Sequence, residues 1–158
     1  MPHAYLSNLV HCVFSTKDRR RIIPTDLESK LYAYVFGICK NLGIELVAVG
    51  GTGNHLHVLI ALPSKMPLSE AIQKIKCNSS RWIGEHGCSF AWQEGYGAFS
   101  VSPSHVQQVR QYIRNQAEHH QKRSFEEEFT DMLQKAGICF DPNAVFESVP
   151  SCRTPQGS

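Results

Sequence analysis

The 158-residue sequence predicts an α+β sandwich, a mostly antiparallel sheet with helices packed on it. Three observations carry that expectation. Residues 6–15, 45–49 and 55–62 carry the short, β-branched or alternating patterns of strands. The segments beginning at Thr25, Leu68 and Pro103 carry apolar residues at helical spacing. Glycine-containing turns then join strands directly, which suits hairpins; a parallel doubly wound sheet needs a crossover helix between paired strands and fits less well.

In residues 6–15, Val10, Cys12 and Phe14 share one face of a half-buried strand, and the basic run 17–21 follows as a loop. Thr25 with Glu28 three residues later forms a capping box, and Leu27, Leu31, Tyr34, Val35, Ile38 and Leu42 mark a first helix that stops at Gly43. Residues 45–49 and 55–62 read as a hairpin closed by Gly50, Gly51, Thr52, Gly53 and Asn54, a turn rich in residues that tolerate positive φ. After Pro63 and Pro67, the residues Leu68, Ile72, Ile75, Ser79 and Trp82 mark a second helix whose polar faces carry Lys74, Lys76 and Arg81. Residues 90–93 and 96–101 flank Glu94-Gly95 as a second short hairpin. Ser102-Pro103 starts a third helix with the stripe Val106, Val109, Ile113 and Ala117, bordered by Tyr112 and Gln116. Ser124 and Glu127 cap a short fourth helix that ends near Gly137.

This length suits one domain over residues 1–140, with 141–158, rich in proline, as a loosely ordered tail. No stretch approaches the roughly 20 apolar residues of a membrane span, so no membrane role is expected. The first residues lack a basic segment leading into an apolar run, and cytoplasm is the expected compartment. Six scattered cysteines without a Cys-x-x-Cys pair indicate reduced, mostly buried thiols. Charge is divided unevenly: residues 1–123 carry 14 Lys and Arg against 8 Asp and Glu, whereas 124–158 carry 2 against 6. A basic body holding the functional residues, with the acidic segment away from them, favours a polyanionic ligand.

The residues with chemistry are His55, His57, Tyr112 and Gln116. Two strand positions apart, the imidazoles lie on one face about 7 Å from each other along the chain and can converge on one ion. A phenol and a carboxamide four apart on a helix stack about 6 Å apart and can face the same ion. Two imidazoles and a neutral oxygen suit a hard divalent cation that keeps positions open for phosphate oxygens and water, and suit a closed structural zinc site poorly. A phenol with a pKa near 10 needs such help to attack phosphorus at neutral pH. The set fits metal-assisted phosphoryl transfer to tyrosine.

Four segments also carry a family resemblance: Val13-Phe14-Ser15-Thr16-Lys17-Asp18-Arg19-Arg20, residues 50–60 around His55-Leu56-His57, residues 91–102, and Tyr112-Ile113-Arg114-Asn115-Gln116-Ala117-Glu118-His119-His120. In order and spacing, over about residues 5–140, they resemble the single-tyrosine HUH transposases of the insertion-sequence 200/605 group. The resemblance implies a dimeric enzyme with a ferredoxin-like core that cuts single-stranded DNA at element ends, recognises subterminal hairpins and rejoins strands. It further implies that His55, His57 and Gln116 hold Mg²⁺ or Mn²⁺, that Tyr112 forms a 5′-phosphotyrosine, and that active sites are shared between the subunits of the homodimer. Asn54 departs from the pattern, since relatives often carry aspartate before the first histidine, where it would help to orient the ring.

Lys17, Arg19, Arg20, Arg21, Lys74, Lys76, Arg81 and Arg114 are candidate phosphate contacts, and His119 and His120 near a helix end are possible supporting residues. Trp82 and Trp92 suit core packing better than base stacking. Two rival functions remain open: a non-catalytic nucleic-acid-binding module, although no aromatic-rich RNA-binding strand is present, and a small metal-dependent phosphodiesterase that uses water.

Overall fold

The computed structural model describes residues 5–146. The strand β1 (Leu9–Ser15) is buried from His11 onward because it lies in the middle of the sheet. The helix α1 (Thr25–Asn41) buries Leu27, Leu31, Val35, Ile38 and Cys39, as its spacing requires. Strands β2 (Glu45–Thr52) and β3 (His55–Ala61) follow, then α2 (Leu68–Glu85) and β4 (Gly97–Val101). All pairings are antiparallel, in the order β2-β3-β1-β4. This β-α-β-β-α-β chain with β1 and β3 central is the ferredoxin-like arrangement, so the expected α+β sandwich is what the sequence forms.

Alternation along β3 sorts the two faces of the sheet. Leu56, Val58 and Ile60 join Cys12 and Phe14 in the main core beneath α1 and α2. Full burial of Leu31, Leu56, Ile60, Ile72 and Ile75 contributes about 1.5–3 kcal/mol each. His55, His57 and Leu59 point the other way, toward α3 (Val106–Arg114), α4 (Gln116–Lys122) and α5 (Phe125–Lys135), where Ile113 packs on Ala48 and Leu59. Two glycines let these helices come close. A Cβ on Gly50 would stand 2.3 Å from the carbonyl oxygen of Ile113, so α3 presses directly on β2. A Cβ on Gly97 would stand 2.6 Å from the Phe129 ring, which α5 lays over the sheet at that point.

Several local expectations are corrected. Gly50 and Gly51 lie within β2, the turn contracts to Gly53 and Asn54, and none of these glycines has positive φ; the demand is close approach. Pro24, rather than Thr25, precedes the first turn of α1; proline has no side-chain acceptor, so there is no side-chain cap, and its carbonyl accepts the Leu27 N–H at 3.0 Å. Ser124 does cap α5, accepting from the Glu127 N–H at 3.2 Å. Residues 90–93 and 96–101 do not pair with each other. Both seek the line of β1: β4 joins its edge, while Gln93 N–H donates to Ser15 O and Lys17 N–H to Ala91 O, each at 2.9 Å. The third helix breaks at Asn115 (φ −96°, ψ 23°), placing Tyr112 on α3 and Gln116 at the start of α4.

Cys12 and Cys39 are buried, but Cys77 and Cys139 are exposed and Cys88 is half-buried, so the thiols are not mostly buried; Cys152 lies outside the described residues. Trp82 stacks on Tyr34 and Trp92 packs edge-on against Phe14, both serving the core. Of the expected tail, residues 141–146 return so that Phe146 meets Phe125 and Phe129; the rest lies outside the described residues. Among the described residues no helix is long and apolar enough to cross a membrane.

Candidate active site

The pleat of β3 aims both histidines at one spot, and each is completely buried. His55 Nε2 lies 2.8 Å from Gln116 Oε1 and 3.7 Å from Glu128 Oε1; His57 Nε2 lies 3.0 Å from Glu128 Oε1. The break at Asn115 turns Gln116 inward, where its amide Nε2 donates to the Tyr112 carbonyl at 3.2 Å. Adjacent ligands of a cation with bonds of about 2.1 Å sit about 3 Å apart, so these donors stand at ligand-edge spacing. His55, His57 and Glu128 together could hold a metal ion.

The far sides of the rings are also engaged. His55 Nδ1 lies 2.8 Å from Asn54 Oδ1, which also accepts from the Thr52 hydroxyl at 2.9 Å, while Asn54 Nδ2 donates to Arg19 O at 3.4 Å. An accepting oxygen there places the imidazole hydrogen on Nδ1. The Nε2 lone pair then faces the accepting oxygen of Gln116, an arrangement that a cation between them would satisfy. Asn54 thus orients the first histidine although it is not acidic. His57 Nδ1 shares a 2.8 Å hydrogen bond with His11 Nε2, a buried ring one strand away. Burial first, then the neighbouring His57, pushes both His11 and His55 down to about 3, so both are neutral at physiological pH.

Glu128 is the centre of the cluster, and nothing in the sequence singled it out. Its side chain is fully buried; Tyr112 Oη donates to Oε2, and His120 Nε2 lies 3.3 Å from Oε1 and 3.0 Å from Gln116 Oε1. Burial alone would raise the carboxyl, but hydrogen bonds from His120 and His57 outweigh it and hold it well below the usual carboxylate range. Burial, then the hydrogen bond and charge of Glu128, push Tyr112 up. The resting pair is therefore phenol and carboxylate. The acidic segment thus does not lie away from the functional residues: its first helix inserts Glu128 among them.

Tyr112, His55, His57 and Gln116 meet in one chain, with the Tyr112 and His57 rings 5.8 Å apart. His119 packs its ring 4.7 Å from that of Tyr112, and His120 supports Gln116 and Glu128. Lys17, Arg20, Arg21 and Arg114 are exposed. Arg19 is engaged by Glu126 at 2.8 Å and by Phe146 O at 2.8 Å. On α2, across the sheet from the histidines, Lys74 pairs with Glu70 at 3.0 Å, Lys76 donates to Gln93 O and Gly95 O, and Arg81 donates to Asn78.

A family model described as "Transposase IS200 like" matches residues 5–116. That segment ends at Gln116, so Glu128 falls outside it. No curated protein matches the chain. A solved structure from Deinococcus radiodurans R1, assigned as a transposase, is 22% identical with a TM-score of 0.58 over 73% of this chain and 96% of that one. The structure of a REP-associated tyrosine transposase bound to a REP hairpin is 15% identical with a TM-score of 0.58 over 90% of this chain and 92% of that one. At these identities the two likenesses show the fold.

Proposed function

The chain belongs to the IS200-like transposase family, and from that premise we propose that it cuts and rejoins single-stranded DNA through a phosphotyrosine on Tyr112, with His55, His57 and Gln116 holding Mg²⁺ or Mn²⁺. The observation that carries this reading is the meeting of the Tyr112 hydroxyl, both β3 histidines and Gln116 around one buried carboxylate. Glu128 joins the ligand set, since its Oε1 stands 3.0 Å from His57 Nε2. Bound there, the cation supplies charge neutralisation to a scissile phosphate and favours the phenolate over the phenol.

The chain's own residues do the rest. Glu128 Oε2 fixes the direction of the Tyr112 hydroxyl, and Gln116 ties the carboxamide to the Tyr112 carbonyl, so the nucleophile and the ligands keep one geometry. The Oη–P bond forms as the phenolic proton passes to Glu128 Oε2, which accepts its hydrogen bond; the P–O3′ bond breaks and the 3′-oxygen takes up a proton from solvent. The 5′-phosphate remains on Tyr112, which preserves the bond energy for rejoining. Exposed Lys17, Arg20 and Arg21 follow directly after β1, beside the site, and are the proposed phosphate contacts, together with Arg114. The hairpin bound by one structural relative supports hairpin-bearing single strands as the substrate, and cytoplasm is the proposed place of work.

The test uses single-stranded DNA from the ends of the element that encodes the chain. With Mg²⁺ or Mn²⁺ the protein should form an SDS-resistant adduct that is absent in excess EDTA. Tyr112→Phe should abolish the adduct while leaving hairpin binding within about threefold, because one phenolic oxygen is lost from the site and none from the phosphate contacts. An undiminished adduct in that variant would reject Tyr112 as the nucleophile.

A further inference from the structure

A cavity of about 300 Å³ opens beside the metal-binding residues, on the same face of the sheet. Val13 and Ser15 form its floor, and these are the residues paired with His57 and His55. The ring of Phe125 is its inner wall and also stacks on His55, with centroids 4.5 Å apart and planes 23° apart. Phe129 and Phe146 continue the aromatic lining, and Gln93 and Glu94 stand at the rim.

We infer that this cavity is a slot for one unpaired nucleobase of the bound strand. This rests on the reading that the protein acts on single-stranded DNA, and it names a contact made to that substrate. The lining selects the occupant. A phosphate would find mostly aromatic carbon, and the lone guanidinium, Arg19, already pairs with Glu126 and covers the Phe146 ring at 4.8 Å. A flat, neutral, hydrogen-bonding ring fits instead: its face meets Phe129 and Phe146, and its polar edge reaches the rim at Glu94. One ring, Phe125, separates the slot from His55, so a base held there belongs to a nucleotide next to the scissile phosphate. The slot thereby fixes the strand's register on the nucleophile.

The test measures binding and photocrosslinking of dodecathymidylate carrying one 5-iododeoxyuridine, in EDTA so that no strand is cut. Stacking is tolerant of base identity, so this probe suffices. The expected crosslinks fall on the peptides containing Phe125, Phe129 or Phe146, or Tyr96, which also lines the cavity. Phe129→Ala removes a stacking face, and Val145→Trp fills the cavity from the segment that closes it. Each is expected to bind about tenfold more weakly than wild type; Phe129→Ala also gives up packing on Gly97 and Phe125 and melts lower, whereas Val145→Trp, whose position lines the cavity, keeps the wild-type melting temperature. Crosslinks confined to other peptides, or wild-type affinity in Val145→Trp, would overturn the slot. Because nothing is cleaved here, failure of the slot leaves the Tyr112 adduct unaffected, and failure of the adduct leaves the slot to be judged by its own crosslinks.

Discussion

Glu128 decides the chemistry of the site more than its neighbours do, because one carboxylate touches Tyr112, His57 and His120 at once. Leaving a buried network without its centre is expensive: Glu128→Ala should cost about 3 kcal/mol of stability, read as a shift in the urea midpoint. Glu128→Gln keeps the shape and loses the charge, so its effect should fall on Mn²⁺ affinity, lowered at least tenfold in calorimetric titration, rather than on melting. Unchanged Mn²⁺ binding in Glu128→Gln would remove the carboxylate from the ligand set. His11 acts one layer further out. As it holds His57 Nδ1 at 2.8 Å, His11→Ala should weaken Mn²⁺ binding by about 10–100-fold. The four residues read from the sequence were legible because their relations are local: two positions on a strand, four near a helix end. Glu128 was not, since Glu126, Glu127 and Glu128 together look like ordinary compensation of a helix dipole. Its partner His57 lies 71 positions away, and no periodicity records a contact of that range.

Single elements show the same division. Strands and helices followed from period 2 and period 3.6, whereas their partners did not: β4 and residues 91–93 both join the line of β1, which only the folded sheet defines. The break at Asn115 was hidden because Val106, Val109 and Ile113 continue an unbroken helical stripe up to it. Gly50 was read as a turn residue, and its real constraint is a neighbour. Backbone cannot move aside as a flexible side chain does, so Gly50→Ala drives its methyl into the Ile113 carbonyl and displaces α3. The expected cost is about 1–3 kcal/mol, with adduct yield falling further than stability because Tyr112 rides on the displaced helix. Equal adduct yield at wild-type stability would refute the close approach. The thiols give a second check on packing. Burial pushes Cys12 up to about 12, with Cys39 adding to it, and Cys39 up to about 11 by burial alone. Both therefore stay protonated and unreactive at pH 8. Iodoacetamide should label Cys77 and Cys139 within minutes and spare Cys12 and Cys39 until the protein is unfolded.

At the scale of the whole molecule, the sheet divides labour between its faces. Beneath α1 and α2 it carries an apolar core with both tryptophans; toward α3, α4 and α5 it carries three histidines, which meet the glutamate of α5 and the tyrosine of α3. All of the latter meet here within one chain, which sets up a test of the proposal that working sites are shared between subunits. If the working site is the one seen here, a mixture of Tyr112→Phe and His57→Ala proteins must stay inactive, because every site in it lacks either a nucleophile or a ligand. If instead α3 leaves its own sheet and docks on a partner, a mixed dimer holds one site with both lesions and one with neither. Half of randomly exchanged dimers are mixed, so cleavage would return to at most about a quarter of the wild-type level. The expected outcome is silence. Gly50 seats α3 against β2, and Tyr112 on that helix donates to Glu128 of the same chain. Recovery in the mixture, with exchange followed by two distinguishable tags, would show that α3 trades partners during the reaction. Gly50→Ala should then raise that recovery when placed in the Tyr112-bearing protein, because it loosens the very contact that holds the helix at home.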